Sequence, residues 1–214
     1  MNNIGFLFDL DGVIIDSESE YSRIWSQINH EFPSGIDNLE LVIKGTTLDN
    51  ILNEHYPSEP VRSQVESRLH ELENKMEYKY LPGAFRFLKD LKESNLKIAL
   101  VTSSDDMKME HLKEEIPDLT TLFDFIVTAR HVTRSKPDPQ GYLLAASKLG
   151  VKAENCAVFE DSLQGVTAGN NAGAYVIGIR GTVSEESLKP FCDSIVTRLD
   201  EIAIDKLVDI LSSR

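Results

Sequence analysis

The sequence predicts an α/β protein in which a doubly wound parallel sheet carries an inserted, all-helical segment. Short apolar runs alternate with helical periodicity over most of the chain, which favours parallel strands joined by crossover helices. Residues 17–80 break this alternation, because they have helical periodicity only. Polar residues follow directly after several of the apolar runs, at the edge where sheets of this kind form their binding sites.

The first strand is predicted from Ile4 to Phe8, a short run without a polar side chain, as expected for a strand buried on both faces. Asp9 ends the run, and Asp11 follows two residues later. Gly12 then permits a tight turn. Two neighbouring carboxylates cannot both carry charge at low cost, whereas oxygen ligands of this kind suit a bound Mg²⁺. The pattern therefore predicts a metal-assisted carboxylate nucleophile with an acid/base group beside it.

A helical bundle is predicted over residues 17–80. Ser17 is predicted to cap its first helix, in which Tyr21, Ile24, Trp25 and Ile28 have the spacing of an apolar stripe. Three further helical stretches are predicted at residues 39–44, 48–54 and 61–76. Because no strand-like run interrupts them, we expect a separate domain at 17–80, inserted into an α/β core formed by residues 1–16 and 81–214.

The α/β pattern resumes after Pro82. Strands are predicted at residues 97–101, 125–127, 156–159, 174–179 and 193–196. Helices are predicted at residues 84–94, 106–115, 142–149, 165–172 and 199–211. This alternation of strands and helices predicts right-handed crossovers and hence the doubly wound sheet.

Composition and charge exclude several classes of protein. The chain has 214 residues, enough for a core with an insertion, and its 41% hydrophobic and 27% charged residues are typical of soluble globular proteins. A net charge of −13 argues against a nucleic acid or an anionic membrane as partner. No stretch approaches the ~20 apolar residues of a membrane span, and no signal peptide is evident. We therefore expect a cytoplasmic protein with reduced Cys156 and Cys192. Nothing demands a partner chain, so we expect a monomer.

Polar residues also follow the later strands. Thr102, Ser103 and Ser104 follow the second strand, Ser135-Lys136-Pro137 comes after the third, and Glu160-Asp161-Ser162 follows the fourth. Taken singly, each group has an ordinary interpretation: a helix cap, a solvated loop lysine and an acidic pair at a helix N-terminus. In so acidic a protein, an anionic phosphate substrate would need local positive potential from a metal, a lysine and backbone N–H groups.

Together, these residues resemble the four sequence motifs of the haloacid dehalogenase superfamily. The first motif is matched by Phe8-Asp9-Leu10-Asp11-Gly12-Val13 through Asp16-Ser17-Glu18, and the others by Thr102, Lys136 and Glu160-Asp161, in order and each after a strand. Within the superfamily, the chain is similar to the β-phosphoglucomutase-like phosphatases. The resemblance implies a Rossmannoid core and a helical cap, hinged near residues 13–17 and 80–83.

The resemblance also implies roles for the acidic residues. Asp9 is expected to attack phosphorus and form an aspartyl-phosphate, while Asp11 protonates the leaving oxygen and later deprotonates the attacking water. Mg²⁺ is expected to be held by Asp9, the main-chain carbonyl of Asp11, and Asp161, with Glu160 binding it directly or through water.

Lys136 and Thr102 are expected, from the same resemblance, to neutralise and orient the phosphoryl oxygens, and cap closure is expected to exclude water and select the leaving group. The superfamily's dehalogenases and phosphonatases lack a second aspartate, so Asp11 favours phosphoryl transfer. A non-enzymatic receiver domain also gathers acidic residues, a hydroxyl and a lysine around Mg²⁺. Its phosphoacceptor, however, follows the third strand, and it has no helical insertion.

Three positions bear on whether the enzyme is a phosphatase or a mutase. The β-phosphoglucomutases have a histidine in the first cap helix, an arginine soon after the cap glycine and a lysine after the second-strand motif. This chain has Tyr21, Gly45-Thr46-Thr47-Leu48 and Ser104-Asp105 there. Fewer cations and an added acid disfavour a pocket for a second phosphate.

We therefore expect an Mg²⁺-dependent phosphatase of a small phosphorylated metabolite, such as a sugar phosphate. A β-phosphoglucomutase is the alternative, and a receiver-like domain is a remote one. The candidate specificity residues are Tyr21, Trp25, Thr47, Leu48, Ser103, Ser104 and Asp105. Trp25 fits the apolar stripe of the first helix equally well.

Overall fold

The computed structural model describes residues 3–44 and 46–214, apart from the side chain of Glu18. Within these residues, the sheet has six strands: β1 (Gly5–Phe8), β2 (Lys97–Val101), β3 (Phe125–Val127), β4 (Cys156–Glu160), β5 (Tyr175–Ile179) and β6 (Ser194–Val196). The helices of the described residues are α1 (Glu18–Glu31), α2 (Leu39–Val42), α3 (Leu48–His55), α4 (Val61–Glu73), α5 (Ala84–Glu93), α6 (Asp106–Glu115), α7 (Gln140–Leu149), α8 (Leu163–Asn171), α9 (Glu185–Leu188) and α10 (Ile204–Ser212).

The strands lie in the order β3-β2-β1-β4-β5-β6, and every neighbouring pair is parallel. β1 is central, with Phe8 aligned to Leu100 on one side and to Phe159 on the other. From β1 the chain adds β2 and β3 on one side, and then β4, β5 and β6 on the other. Doubly wound sheets open a crevice at their carboxyl edge between the two strands where the order changes direction, here β1 and β4. The predicted α/β fold class is therefore confirmed.

Both faces of the central strands β1 and β4 are buried, as the apolar runs predict. Phe6 and Phe8 point into one hydrophobic cluster, while Leu7 points into another, together with Tyr142 of α7. The Phe8 and Phe159 rings stack with centroids 4.1 Å apart and planes 5° apart. Phe8 directly precedes Asp9, and Phe159 directly precedes Glu160. The packing of the two rings therefore fixes the positions of both acidic residues at the ends of their strands.

Helices α1–α4 form the inserted cap between β1 and β2. Ile24 and Ile28 of α1 are buried in the same cluster as Val65 and Leu69 of α4, so the apolar stripes of these helices form the interior of the cap. The boundaries 17–80 stay a prediction. Gly45, in the segment compared with the mutases, lies outside the described residues.

Two linkers join the cap to the core and run side by side. The N–H of Asp16 donates to the carbonyl of Lys79 at 2.9 Å, and the N–H of Leu81 donates to the carbonyl of Ile14 at 2.8 Å. Ile15 and Tyr80 form an antiparallel bridge between these bonds. The predicted hinges near residues 13–17 and 80–83 thus lie next to each other.

Some element ends differ from the prediction. The predicted helix 199–211 is interrupted: Leu199–Glu201 form a 3₁₀ turn, and α10 begins only at Ile204. Leu199 is buried, and Ile202 and Ala203 have extended backbone angles, which break the helical path. Among the described residues, none of the helices has the length and apolar character that crossing a membrane requires.

Candidate active site

The candidate site lies at the carboxyl end of β1. The N–H of Asp9 donates to the carbonyl of Phe159 at 3.0 Å, which continues the sheet by one residue and fixes the start of the next turn. Gly12 has a φ of 74°, a conformation that disfavours residues with a side chain. Its N–H donates to the carbonyl of Ile15 at 3.0 Å. This turn keeps Asp11 at the sheet edge beside Asp9.

Lys136 joins the ends of β1 and β4. Its Nζ lies 2.5 Å from Oδ1 of Asp9 and 2.5 Å from Oε1 of Glu160, and it donates to the carbonyl of Val101 at 3.1 Å. Burial lowers the pKa of Lys136, but the two carboxylates outweigh burial and raise that pKa above its ordinary value. Lys136 is therefore a fixed positive charge next to Asp9.

The surroundings of Asp9 act on its carboxyl group in opposite directions. Burial raises its pKa to about 8, with Glu160 and Asp11 adding to the rise and Lys136 opposing it. A divalent cation beside this carboxyl group would act in the same direction as Lys136 and favour the anion.

Asp9, Glu160 and Asp161 fit a metal ion. Each offers a carboxylate oxygen, and these oxygens lie within 4.8 Å of one another. An all-oxygen set of this kind suits Mg²⁺. Asp161 accepts a hydrogen bond from the hydroxyl of Thr182, which orients its carboxylate. The residues present therefore fit the metal that the resemblance implies.

Glu160 is distinguished from the other two by its partners. Oε1 accepts from Lys136 and from the Tyr142 hydroxyl at 2.7 Å, while Oε2 accepts from the Asp161 N–H and the Ser162 hydroxyl, both at 3.1 Å. The side chain is completely buried. Protein donors thus occupy both oxygens, which favours contact with a metal through water over direct ligation.

The helix after β4 has a glycine because it passes directly over Glu160. A Cβ on Gly165 would lie 1.8 Å from the carboxyl carbon of Glu160. The Ser162 side chain accepts from the Gly165 N–H at 3.0 Å and caps α8. The cap at Ser162 and the missing side chain at Gly165 together allow α8 to pack directly against the Glu160 carboxylate.

Asp11 lies at the boundary between core and cap. Nζ of Lys108, on α6, lies 2.6 Å from each of its oxygens, and the Ser104 hydroxyl lies 3.4 Å from Oδ2. The Ser17 hydroxyl donates to Oδ1. The prediction that Ser17 caps α1 is wrong, because its side chain makes no capping bond and binds Asp11 instead.

A cavity of about 130 Å³ lies between this site and the cap. The predicted site residues that line it are Asp9, Asp11, Tyr21, Trp25, Leu48, Ser103, Ser104, Asp105 and Asp161. Trp25 is also buried in the cap interior, as the apolar stripe predicts, and its role in specificity stays a prediction. Asp105 has a structural contact as well, since its carboxylate accepts from the Lys108 N–H and caps α6.

Three of the predicted site residues line a second pocket and not this cavity. Thr47, Thr102 and Lys136 line a smaller pocket of about 20 Å³, which shares Ser103 with the larger cavity. The Thr102 hydroxyl lies 2.9 Å from that of Ser104 and accepts from the Ser104 N–H at 3.0 Å. Thr102 therefore shapes the turn after β2. Thr47 lies beside Lys136 and apart from the larger cavity.

Sequence reasoning missed four charged residues that line the larger cavity: Glu40, Lys44, Glu73 and Lys108. Of these, Lys108 and Glu73 are buried. Lys108 lies three residues after the cap residue of α6, so it follows the strand end too distantly for a search confined to strand ends. Glu73 continues the helical spacing of Val65 and Leu69. A charged residue in phase with an apolar stripe is a signal that could have identified it.

Comparisons with known proteins identify the family of this chain. The family model described as haloacid dehalogenase-like hydrolase matches residues 6–179. Hexitol phosphatase A of Escherichia coli (strain K12) is 30% identical over 207 residues, which cover 94% of this chain and 94% of that protein. The phosphorylated carbohydrates phosphatase of Thermotoga maritima is 31% identical over 175 residues, covering 78% of this chain and 80% of that protein.

A solved structure extends the match to the cap. β-Phosphoglucomutase from Clostridium difficile superimposes with a TM-score of 0.81 at 25% identity, and all of both chains is covered. The predicted Rossmannoid core with a helical cap is confirmed by this match. The family match spans β1 to β5, including every strand end that contributes to the acidic cluster. The chain belongs to the haloacid dehalogenase-like hydrolase family.

Proposed function

We propose that this protein is an Mg²⁺-dependent phosphatase that hydrolyses the phosphate ester of a small metabolite through a phosphorylated Asp9. The observation that carries the proposal is the junction of Asp9 with Lys136 and the acidic end of β4, beside a cavity lined by residues of both the core and the cap. The proximity of one carboxylate to a lysine and to two further carboxylates supports these proposed roles of nucleophile, fixed cation and metal ligands. The names of the two phosphatase relatives support a polyhydroxy metabolite as substrate.

In the first half-reaction, an oxygen of Asp9 attacks phosphorus in line, and the bond from phosphorus to the ester oxygen breaks. Asp11 gives a proton to that oxygen, so the alcohol leaves neutral. Lys136 keeps its proton and offsets the charge that develops on the phosphoryl oxygens. Asp9, Asp161 and the main-chain carbonyl of Asp11, with Glu160 through water, would hold Mg²⁺, whose charge would offset the repulsion between nucleophile and phosphate.

In the second half-reaction, water attacks the phosphorus of phosphorylated Asp9. The Asp11 carboxylate accepts a proton from that water, the bond between Asp9 and phosphorus breaks, and inorganic phosphate forms. Ser17, Ser104 and Lys108 hold Asp11 at the cavity wall, where it can reach both the leaving oxygen and the incoming water.

A β-phosphoglucomutase is the second candidate, favoured by the full-length structural match. The sequence comparison with the mutases at three positions indicated a cavity with fewer cations. That comparison did not include Lys44 and Lys108, which both line the cavity. Among its described lining residues, however, six are acidic: Asp9, Asp11, Glu40, Glu73, Asp105 and Asp161. Two lysines among six acids disfavour a second phosphate, so hydrolysis remains the better-supported function.

Phosphate release from a panel of phosphorylated metabolites, with Mg²⁺ present, tests the proposal. The wild-type protein should release phosphate, and Asp9→Asn should lose at least about 10³-fold in kcat because the amide is not a nucleophile. Asp209→Asn, an exposed change on α10, is the matched control and should keep full activity. Undiminished turnover in Asp9→Asn would exclude Asp9 as the nucleophile.

Product identity separates the two candidates. With β-glucose 1-phosphate and a trace of the glucose bisphosphate, a phosphatase yields free phosphate and glucose. Accumulation of glucose 6-phosphate in place of free phosphate would identify the mutase.

A further inference from the structure

The cap end of the cavity has a buried carboxylate that the proposed mechanism does not use. Glu73, the last residue of α4, lines the cavity although only 8% of its surface is exposed. Its neighbours along the same stripe, Val65 and Leu69, are apolar. A buried carboxylate costs free energy that an apolar residue at this position would avoid. Its presence at a cavity wall therefore points to a ligand.

Glu73 is held in place by two side chains of the cap. The Tyr21 hydroxyl donates to Oε1 at 2.6 Å, and Nδ1 of His70 lies 3.1 Å from Oε2. Burial, and then the charge of Glu73, raise the pKa of Tyr21 well above its ordinary value, so Tyr21 stays a donor. Each carboxylate oxygen can accept a further hydrogen bond, because a carboxylate has about four acceptor positions.

A continuous row of polar groups connects Glu73 to the reacting centre. Lys108 binds Asp11, and its Nζ lies 4.2 Å from the centre of the Tyr21 ring, whose hydroxyl binds Glu73. All four residues line the same cavity. In the proposed mechanism the leaving oxygen lies beside Asp11, and the cavity offers space along this row for the rest of the leaving group.

We propose, on the basis of the phosphatase function above, that Glu73 binds a hydroxyl group of the leaving alcohol and so selects monophosphates of polyols and sugars. A hydroxyl is a donor, as a carboxylate requires, and it is neutral. A second phosphate in the same space would face Glu40, Glu73 and Asp105, all of which line the cavity. An alkyl chain would leave the buried carboxylate without the partner that the hydroxyl provides.

The preference between two esters tests this inference. The ratio of kcat/KM for sorbitol 6-phosphate to that for hexyl phosphate, which has the same chain length without hydroxyls, should be at least about tenfold in the wild-type protein. Glu73→Gln should lower this ratio at least about tenfold. Since both esters are measured on one sample, a partly unfolded variant does not distort the ratio. Glu66→Gln, an exposed change on α4, should leave the ratio unchanged.

Other outcomes would overturn the inference. Equal kcat/KM values for the two esters in the wild-type protein, or an unchanged ratio of these values in Glu73→Gln, would mean that Glu73 stabilises the cap and binds no hydroxyl group of the substrate. Hydrolysis of p-nitrophenyl phosphate separately reports the phosphatase function itself. If no ester is hydrolysed, calorimetry measures the affinity of the wild-type protein and of Glu73→Gln for sorbitol 6-phosphate and hexyl phosphate. Tighter binding of sorbitol 6-phosphate by the wild-type protein, lost in Glu73→Gln, supports the inference. Equal affinity of the wild-type protein for the two esters contradicts it.

Discussion

At the scale of single residues, the site is a chain of contacts in which each group holds the next. Gly165 leaves room for Glu160, Glu160 binds Lys136, and Lys136 binds Asp9. Because these groups are buried, displacing any of them leaves another charge without a partner, which costs several kcal/mol. The proposed function of Asp9 therefore also depends on Glu160 and Gly165, to which the mechanism gives no contact with the substrate.

Gly165→Ala should disrupt these contacts by displacing Glu160, the residue that Gly165 faces. The new Cβ would overlap the Glu160 carboxyl group, which must move and take Lys136 with it. We expect a loss in kcat of about 10–100-fold, as for other residues that orient catalytic groups, and a destabilisation of about 1–3 kcal/mol. Phosphate release and urea unfolding measure the two effects. Asn170→Ala, exposed on the same helix, is the control, and equal activity in both variants would contradict the prediction.

His70 should make the stability of the cap depend on pH. Its hydrogen bond to Glu73 raises its pKa above the ordinary value of 6.5, with Asp105 and Glu66 adding to the effect. The folded state thus holds the proton more tightly than the unfolded state. The contribution of protonated His70 to the free energy of unfolding is fully present below about pH 6.5, and it is lost as the pH rises through the pKa of His70 in the folded state.

The wild-type protein should therefore exceed His70→Gln in free energy of unfolding by more at pH 5.5 than at pH 9. Urea unfolding of both proteins at the two pH values measures this difference. His30→Gln, an exposed change in the last turn of α1, should follow the wild-type protein at both values. A difference for His70→Gln that does not change with pH would exclude the protonated histidine as its cause.

At the scale of elements, β1 and β4 carry the site because their aromatic residues pack beneath it. Phe159 is completely buried, stacks on Phe8 and directly precedes Glu160. The strands were predictable from the sequence, since apolar runs without polar residues have few alternatives to a buried sheet. Helix ends were less predictable. The break before α10 depends on Leu199 turning into the core, which periodicity alone does not encode.

Phe159→Ala should cost about 3–5 kcal/mol of unfolding free energy, because it removes a buried ring and leaves a cavity that the sheet cannot close. The midpoint of urea unfolding measures this loss. Phe85→Ala, on the partly exposed face of α5, should cost about 1 kcal/mol or less. Comparable losses at the two positions would mean that the aromatic stack contributes little to the sheet.

At the scale of the whole molecule, the protein is acidic, and part of its negative charge lies where cap and core meet. The net charge is −13, and six of the described residues that line the cavity are acidic. Binding of a divalent cation there should stabilise the entire fold, because only the folded chain assembles the ligands from β1 and β4. The expectations of a monomeric, cytoplasmic protein that binds no nucleic acid stay predictions at this scale.

Removal of Mg²⁺ should abolish phosphate release, and added Mg²⁺ should restore it. At a concentration of about 100 times its dissociation constant, the ion should add about 2.7 kcal/mol of stability, equivalent to a rise in Tm of roughly 5–10 °C. Calorimetry with EDTA or Mg²⁺ measures the shift, which Asp161→Asn should reduce. Full activity after thorough chelation would contradict the metal assignment.

The sequence by itself determined the α/β class, the helical insertion and the residues at the strand ends. These follow from local patterns: apolar runs, helical periodicity and polar residues directly after a strand. Only the tertiary structure decided that Lys108 reaches Asp11, that Glu73 lines the cavity and that Ser17 binds Asp11 without capping its helix. These contacts join the core to the cap or different parts of the core, and their geometry depends on how the two domains pack. Neighbours in sequence cannot specify that packing.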